Sequence, residues 1–213
     1  MRRSGPVWLL SFAADGIDAL SFVTLGVFTS AVSGNAILLG IALGQGRLSD
    51  ASRSLIAFAG FAVGVAIASA VSTWPPRRAL LIEAALLAIF AMLWPERVAA
   101  LHAPMALWPK SLPWLLILAG AAMGVQSASG RRLGVPGINT VVFTTTITEI
   151  VGALTGAVLR GEPRGMEAKT WRQIGALTLY VAGAAILATF AIEDVWFAAV
   201  PPVVCVLLAA ILA

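Results

Sequence analysis

The sequence predicts an all-α polytopic membrane protein, and three observations predict it. First, 60% of its 213 residues are hydrophobic and only 11% are charged, with a mean hydropathy of +0.95. Soluble domains are about 45–50% apolar and about a quarter charged. Second, apolar stretches recur near 7–25, 27–45, 54–73, 79–94, 113–129, 138–158, 173–192 and 195–213. A hydrocarbon core roughly 30 Å thick needs about 20 such residues per helix. These runs are apolar on every face, whereas barrel strands alternate over about 10 residues. Third, Trp8, Trp74, Trp94, Trp108, Trp114, Trp171 and Trp196 fall at or just outside segment ends, where amphipathic rings settle at the headgroups.

The first segment follows Arg2 and Arg3, and Asp15 and Asp18 interrupt it. The carboxylates and the poor cleavage site "SFAADG" argue against a removed signal. A retained first helix with a cytoplasmic N-terminus is expected. A charged Asp at the bilayer centre costs about 2.5–3.5 kcal/mol on insertion scales, and i, i+3 spacing puts the two on one face. Two readings follow: a proton or cation relay facing the bundle interior, or an interfacial Asp15 paired with Arg2 or Arg3 and only Asp18 buried.

The second segment carries "FTSAVSGNAILLG" (28–40), a polar and helix-loosening stretch where lipid should surround the chain. Ser33, Gly34 and Asn35 mark the expected break, where a short helix begins within the membrane. In the third segment Gly60-xxx-Gly64 reads as a packing face, as does Gly120-xxx-Gly124 in the fifth, because small residues let helices approach closely. Glu83, in the fourth, is expected to reach back to Arg77 or Arg78. Residues 98–112 form a Pro-rich linker between a first half, 1–97, and a second, 113–213.

The fifth segment ends in "GVQSASGRRLGVPGINT", with Gln126, Arg131 and Arg132. Pro136 and its neighbouring glycines forbid a continuous helix there. Such a break beside two arginines suits an anion at the next helix start; the alternative is an ordinary loop touching headgroups. The sixth segment, "VFTTTITEIVGALTG" (142–156), holds Thr145, Thr146 and Glu149. Glu149 has no basic residue in its own span, so it must be protonated, face water or find a partner, with Arg131 or Arg132 the obvious candidates. Hydroxyls here also have a purely structural use, bonding back to the i−4 carbonyl. The connection 160–172 is the most basic and should be cytoplasmic. Six to eight crossings fit the loop charges.

The halves are internally similar. "DGIDA" (15–19) matches "GVQSA" (124–128), each precedes a Leu-Gly pair, and each leads into a Ser/Thr-rich, broken segment. Transporters are commonly built from such repeats, with sites at the repeat interface.

The stretches "DGIDALSF" (15–22), "SGNAILLG" (33–40) and "GVQSASGRRLGVPGINTVVFTTTIT" (124–148) resemble the YoaK-like family of bacterial inner-membrane proteins (domain of unknown function 1275). The resemblance covers nearly the whole chain. It implies a multi-pass fold and not a reaction, because no biochemical activity is established for the family. This sequence departs from the family pattern at Asp15 and Ser127, where members tend to carry Gly and Asn, and at Thr145, which replaces the Gly of a Thr-Gly-Thr.

The functional expectation is a secondary transporter or channel for a small solute in the bacterial inner membrane, with a midplane site between the repeats. Asp18 and Glu149 would be coupling carboxylates, with Asp15 a third relay member. Asn35, Ser33, Gly34, Gln126, Thr145 and Thr146 would line the site, and Arg131 or Arg132 would meet an anionic solute. The alternative is a non-transporting scaffold or accessory subunit. No catalytic grouping is visible, so an enzyme is not expected. A lone His102 and a lone Cys205 make neither a metal site nor a disulfide, and no cofactor is expected. The expected partners are the lipid bilayer, the solute and, as a further option, a second copy of the chain. The net charge of +4 is spread over loops and does not indicate nucleic acid.

Overall fold

The computed structural model describes residues 5–101, 112–130, 132, 143–161 and 167–213. Among them the chain is helical throughout: α1 (Gly5–Leu25), α2 (Val32–Gly44), α3 (Leu48–Ala70), α4 (Pro76–Leu101), α5 (Leu112–Gly130), α6 (Phe143–Leu159), α7 (Ala168–Ile192) and α8 (Val200–Leu212). Each predicted apolar segment corresponds to one helix. Of these, α1, α3, α4, α5 and α7 are long and apolar enough to cross a membrane, whereas α2, α6 and α8 are shorter.

Two boundaries differ from expectation. Helix α2 starts at Val32 because residues 26–31 form an irregular connection back toward α1. Helix α4 passes through Pro95 and runs to Leu101, into the expected linker. Proline removes one helical hydrogen bond, and the buried Phe90 and Trp94, with ring centroids 5.8 Å apart, anchor the helix just before it. Trp94 also departs from the expected headgroup position. It is 1% exposed, and its indole Nε1 donates to the Val195 carbonyl at 3.2 Å. Trp74, Trp114, Trp171 and Trp196 are exposed, as expected of interfacial rings.

Close approach of backbones governs the packing. Gly60 and Gly64 on α3 meet Gly120 and Gly124 on α5. A Cβ at Gly60 would lie 2.8 Å from the Ile117 carbonyl oxygen, and one at Gly120 would lie 2.8 Å from that of Ala57. Gly64 faces Ala121 one turn further along both helices, so α3 and α5 run parallel. A second such pair joins α1 to α7, where Trp8 meets Gly175, Phe12 meets Gly183 and Gly16 meets Leu187; these helices also run parallel. Gly5 lies against Leu212, which makes α8 antiparallel to α1. Ala79, early in α4, clusters with Val125, late in α5, which makes that pair antiparallel. Helices α1, α4 and α7 therefore run one way and α3, α5 and α8 the other. The shorter α2 packs on α3 and α6 on α7.

A side chain at Gly64 must push α3 and α5 apart. Gly64→Leu should destabilise the protein by about 3 kcal/mol or more through overpacking. Gly40, with nothing within 4 Å of a built Cβ, should accept alanine with a gain of up to about 1 kcal/mol from helix propensity. SDS-titration unfolding of the two variants in micelles measures both.

Candidate functional site

The residues linking α1 to α2 turn back into the bundle, where Thr29 and Ser30 are buried and backbone amides need protein partners. Their amides are taken by two side chains. Asp18, buried on α1, accepts from the Thr29 amide at 2.6 Å and hydroxyl at 2.9 Å, and from the Ser30 amide at 2.6 Å, all on Oδ1. Its Oδ2 accepts from the Ser30 hydroxyl at 2.6 Å and the Ala31 amide at 3.0 Å. Asn35, in the first turn of α2, closes the cradle. Its Oδ1 accepts from the Phe28 amide at 2.9 Å, and its Nδ2 donates to the Phe28 carbonyl. Ala31, the N-cap, has no side-chain cap of its own, so a carboxylate from another helix performs that function at the positive end of α2.

Asp18 lies seven residues before the end of α1 (Gly5–Leu25), which at about 1.5 Å per residue is roughly 10 Å inward. The short helix therefore begins within the depth of α1, as the sequence suggested. The irregular backbone is 26–31, however, and Ser33 and Gly34 are already helical. Ser33 is exposed, and Gly34 allows contact with the Phe28 ring, where a Cβ would be 3.0 Å away. Phe28 in turn stacks on Phe22 at 4.5 Å.

Asp15 is buried at 3% exposure, which overturns the interfacial alternative for it. The Tyr180 hydroxyl of α7 hydrogen-bonds it, and its Oδ2 has no partner among the described residues. Glu83 corrects another expectation. Arg77 and Arg78 are exposed and Arg78 covers the Trp74 ring, while Glu83 is fully buried with both oxygens unpartnered among the described residues.

Glu149 also has a different partner from the expected arginines. Lys169 on α7 pairs with its Oε2 at 2.8 Å, both side chains being 38% exposed, and Gln173 donates to the same oxygen at 2.6 Å. These groups line a cavity of about 170 Å³ between α6 and α7. Asp18 and Glu149 thus hold separate sites, one beside α2 and one on α6.

Thr145 is exposed and Thr146 is buried beside it. Thr148 bonds back to the Thr144 carbonyl at 2.9 Å, the structural use expected of membrane hydroxyls. Gln126 is buried, and its Nε2 donates to the Leu10 carbonyl at 2.9 Å across α1 and α5. Arg132 donates from Nη2 to the Trp74 carbonyl. Arg131, Pro136, His102, Arg2 and Arg3 lie outside the described residues. Sequence reasoning missed Tyr180, Lys169 and Gln173 as partners. Thr29 and Ser30 were visible as polar residues, but nothing local tied them to Asp18.

Helices on this scale, with the Asp18 carboxylate and the amides before α2 satisfying one another inside the bundle, define an all-α polytopic membrane protein with a helix break held by buried polar groups. The chain belongs to the family described as "Protein of unknown function (DUF1275)", whose model matches residues 7–212. It is 32% identical over 190 residues to the UPF0700 transmembrane protein YoaK of Bacillus subtilis (strain 168), covering 84% of this chain and 80% of that one. No solved structure matches.

Asp18→Asn replaces acceptor capacity with an N–H donor against amides that can only donate. It should cost about 3 kcal/mol, the range for buried hydrogen bonds to charged groups. Glu149→Gln, which loses an accessible ion pair, should cost no more than about 1 kcal/mol. SDS unfolding of both variants ranks them, and equal costs would contradict this assignment.

Proposed function

We propose that the chain is a small-solute transporter or channel of the bacterial inner membrane, organised as two related halves of opposite orientation. The observation that carries the reading is the break before α2, a helix start inside the bundle whose amides rest on a protonatable carboxylate. Discontinuous helices of this kind form solute and ion sites in transporters.

The buried positions support the two-half reading. Those of α3 and α7 fall in one register, pairing Ala51 with Thr170, Ser54 with Gln173, Ala57 with Ala176, Gly64 with Gly183 and Ala68 with Leu187. Those of α1 and α5 do the same, pairing Leu10 with Ala119, Ala13 with Ala122 and Ile17 with Gln126. The first half then supplies the long helices α1, α3 and α4 and the second α5 and α7, with the shorter α8 in the place of α4 and with α2 and α6 as partial elements. Lys169 and Arg172, at the start of α7, fall at the same end as the start of α1, where Trp8 donates to the Arg172 carbonyl, and basic residues at that end support a cytoplasmic N-terminus.

Asp18 offers a coupling mechanism. A proton on its carboxyl introduces an O–H where every neighbour is a donor. The Thr29 and Ser30 hydroxyls can rotate to accept it, but the Thr29, Ser30 and Ala31 amides cannot. Protonation therefore loosens the entry to α2, and Asp15, three residues earlier on the same face, is placed to exchange that proton. Saturation of Asp18 also favours the second reading, an accessory subunit in which the cradle only holds α2.

Reconstituted proteoliposomes separate the two. Under an imposed pH gradient, currents on a solid-supported membrane are recorded with lactate, succinate, glutamate and glucose as probes. Transport predicts a current with at least one probe that falls at least tenfold in Asp18→Asn, in protein that still elutes as a single species. Equal currents in wild type, Asp18→Asn and protein-free vesicles would favour the accessory role.

A further inference from the structure

A cavity of about 310 Å³ lies between the end of α1, the length of α2 and the start of α3. Its wall is apolar, formed by Phe22, Leu38 and Ile41 among others, and its other end carries Arg47, Asp50, Arg53 and Ser54. Two guanidinium groups face one carboxylate there. Arg47 takes Asp50 at 2.9 Å, while Arg53 stands 3.6 Å from it. The Arg53 side chain is only 22% exposed, and it is held by a 3.3 Å bond to the Leu25 carbonyl. Ser54 is 1% exposed, and its hydroxyl has no partner among the described residues. An orphaned buried hydroxyl is costly, and a ligand oxygen placed beside Arg53 would satisfy it.

We infer that this cavity binds an amphiphilic organic anion, its head on Arg53 and Ser54 and its hydrocarbon body against Phe22, Leu38 and Ile41. The volume lies at the lower end of small-molecule sites, about 300–1,000 Å³, and suits an anion with a short chain. The excess of arginine over aspartate selects negative charge, and the apolar wall excludes fully hydrated ions. The shared chemistry fits a free medium-chain carboxylate or the headgroup region of an anionic lipid. This is a statement about binding and does not rest on the transport reading.

Calorimetric titration of the protein in phosphatidylcholine nanodiscs, against empty nanodiscs, tests it with octanoate and octanol. Octanoate should bind at least tenfold more tightly than octanol. Arg53→Gln should weaken octanoate at least tenfold and Ser54→Ala severalfold. Leu38→Trp fills the cavity without touching the charged end, and should abolish octanoate binding even if Arg53→Gln fails to fold. Adding phosphatidylglycerol separates the sources: competition with octanoate supports a lipid headgroup, and its absence supports a free anion. Equal binding of octanoate and octanol, or unchanged octanoate affinity in Leu38→Trp, overturns the inference.

Discussion

Backbone amides have nowhere to turn in hydrocarbon, and the four that precede α2 set the terms for the rest of this structure. The N–H groups of Phe28, Thr29, Ser30 and Ala31 are consecutive, non-helical and inside the bundle. Water cannot serve them, and an unsatisfied group costs several kcal/mol in lipid. Asp18 and Asn35 take all four. A carboxylate that is expensive to bury alone becomes tolerable because five donors replace its hydration, and the break becomes tolerable because the carboxylate is there. Removing either leaves the other unpaired.

The same constraint fixes the placement of α2 and α3. With its entry held at Asp18, α2 runs outward beside α3 before the chain turns at Gln45–Arg47. Gly46 supplies the positive φ of 69° that this turn requires. Helix α3 then returns into the bundle, where its glycine face meets that of α5. Small residues allow those backbones to touch, so van der Waals packing can hold the bundle where lipid offers no hydrophobic drive.

Much of the fold was legible because hydropathy is a local property: each apolar run became a helix, and the glycine pairs at 60–64 and 120–124 met as packing faces. Partners were less legible. Asp18 and Asn35 stood out as polar residues in greasy segments, but pairing Asp18 with Thr29 needs the chain to double back, which no periodicity reveals. Glu83 was assigned to the nearby arginines because they are close in sequence. Which face of α4 it occupies is decided by the packing of α5 and α8, and that face points inward. Lys169 was counted as a topogenic loop charge, and only the approach of α7 to α6 made it the counter-ion of Glu149.

Helices α2 and α6 do not carry equivalent chemistry, even on the reading that the halves are related. Beside α2 the lining pairs Leu38 and Ala42 with Asp50 and Ser54; beside α6 the corresponding places hold Ala153, Ala157, Lys169 and Gln173. Aspartate has given way to lysine, and a carboxylate on the short helix, Glu149, now answers it. The α2 cavity keeps an apolar wall and surplus arginine, whereas the α6 cavity is polar and internally neutralised. Because α3 and α7 run in opposite directions, the two cavities also sit toward opposite ends of the bundle. On the proposed two-half reading, each side of the membrane would therefore meet a different chemistry, apolar and basic at α2, polar and neutralised at α6.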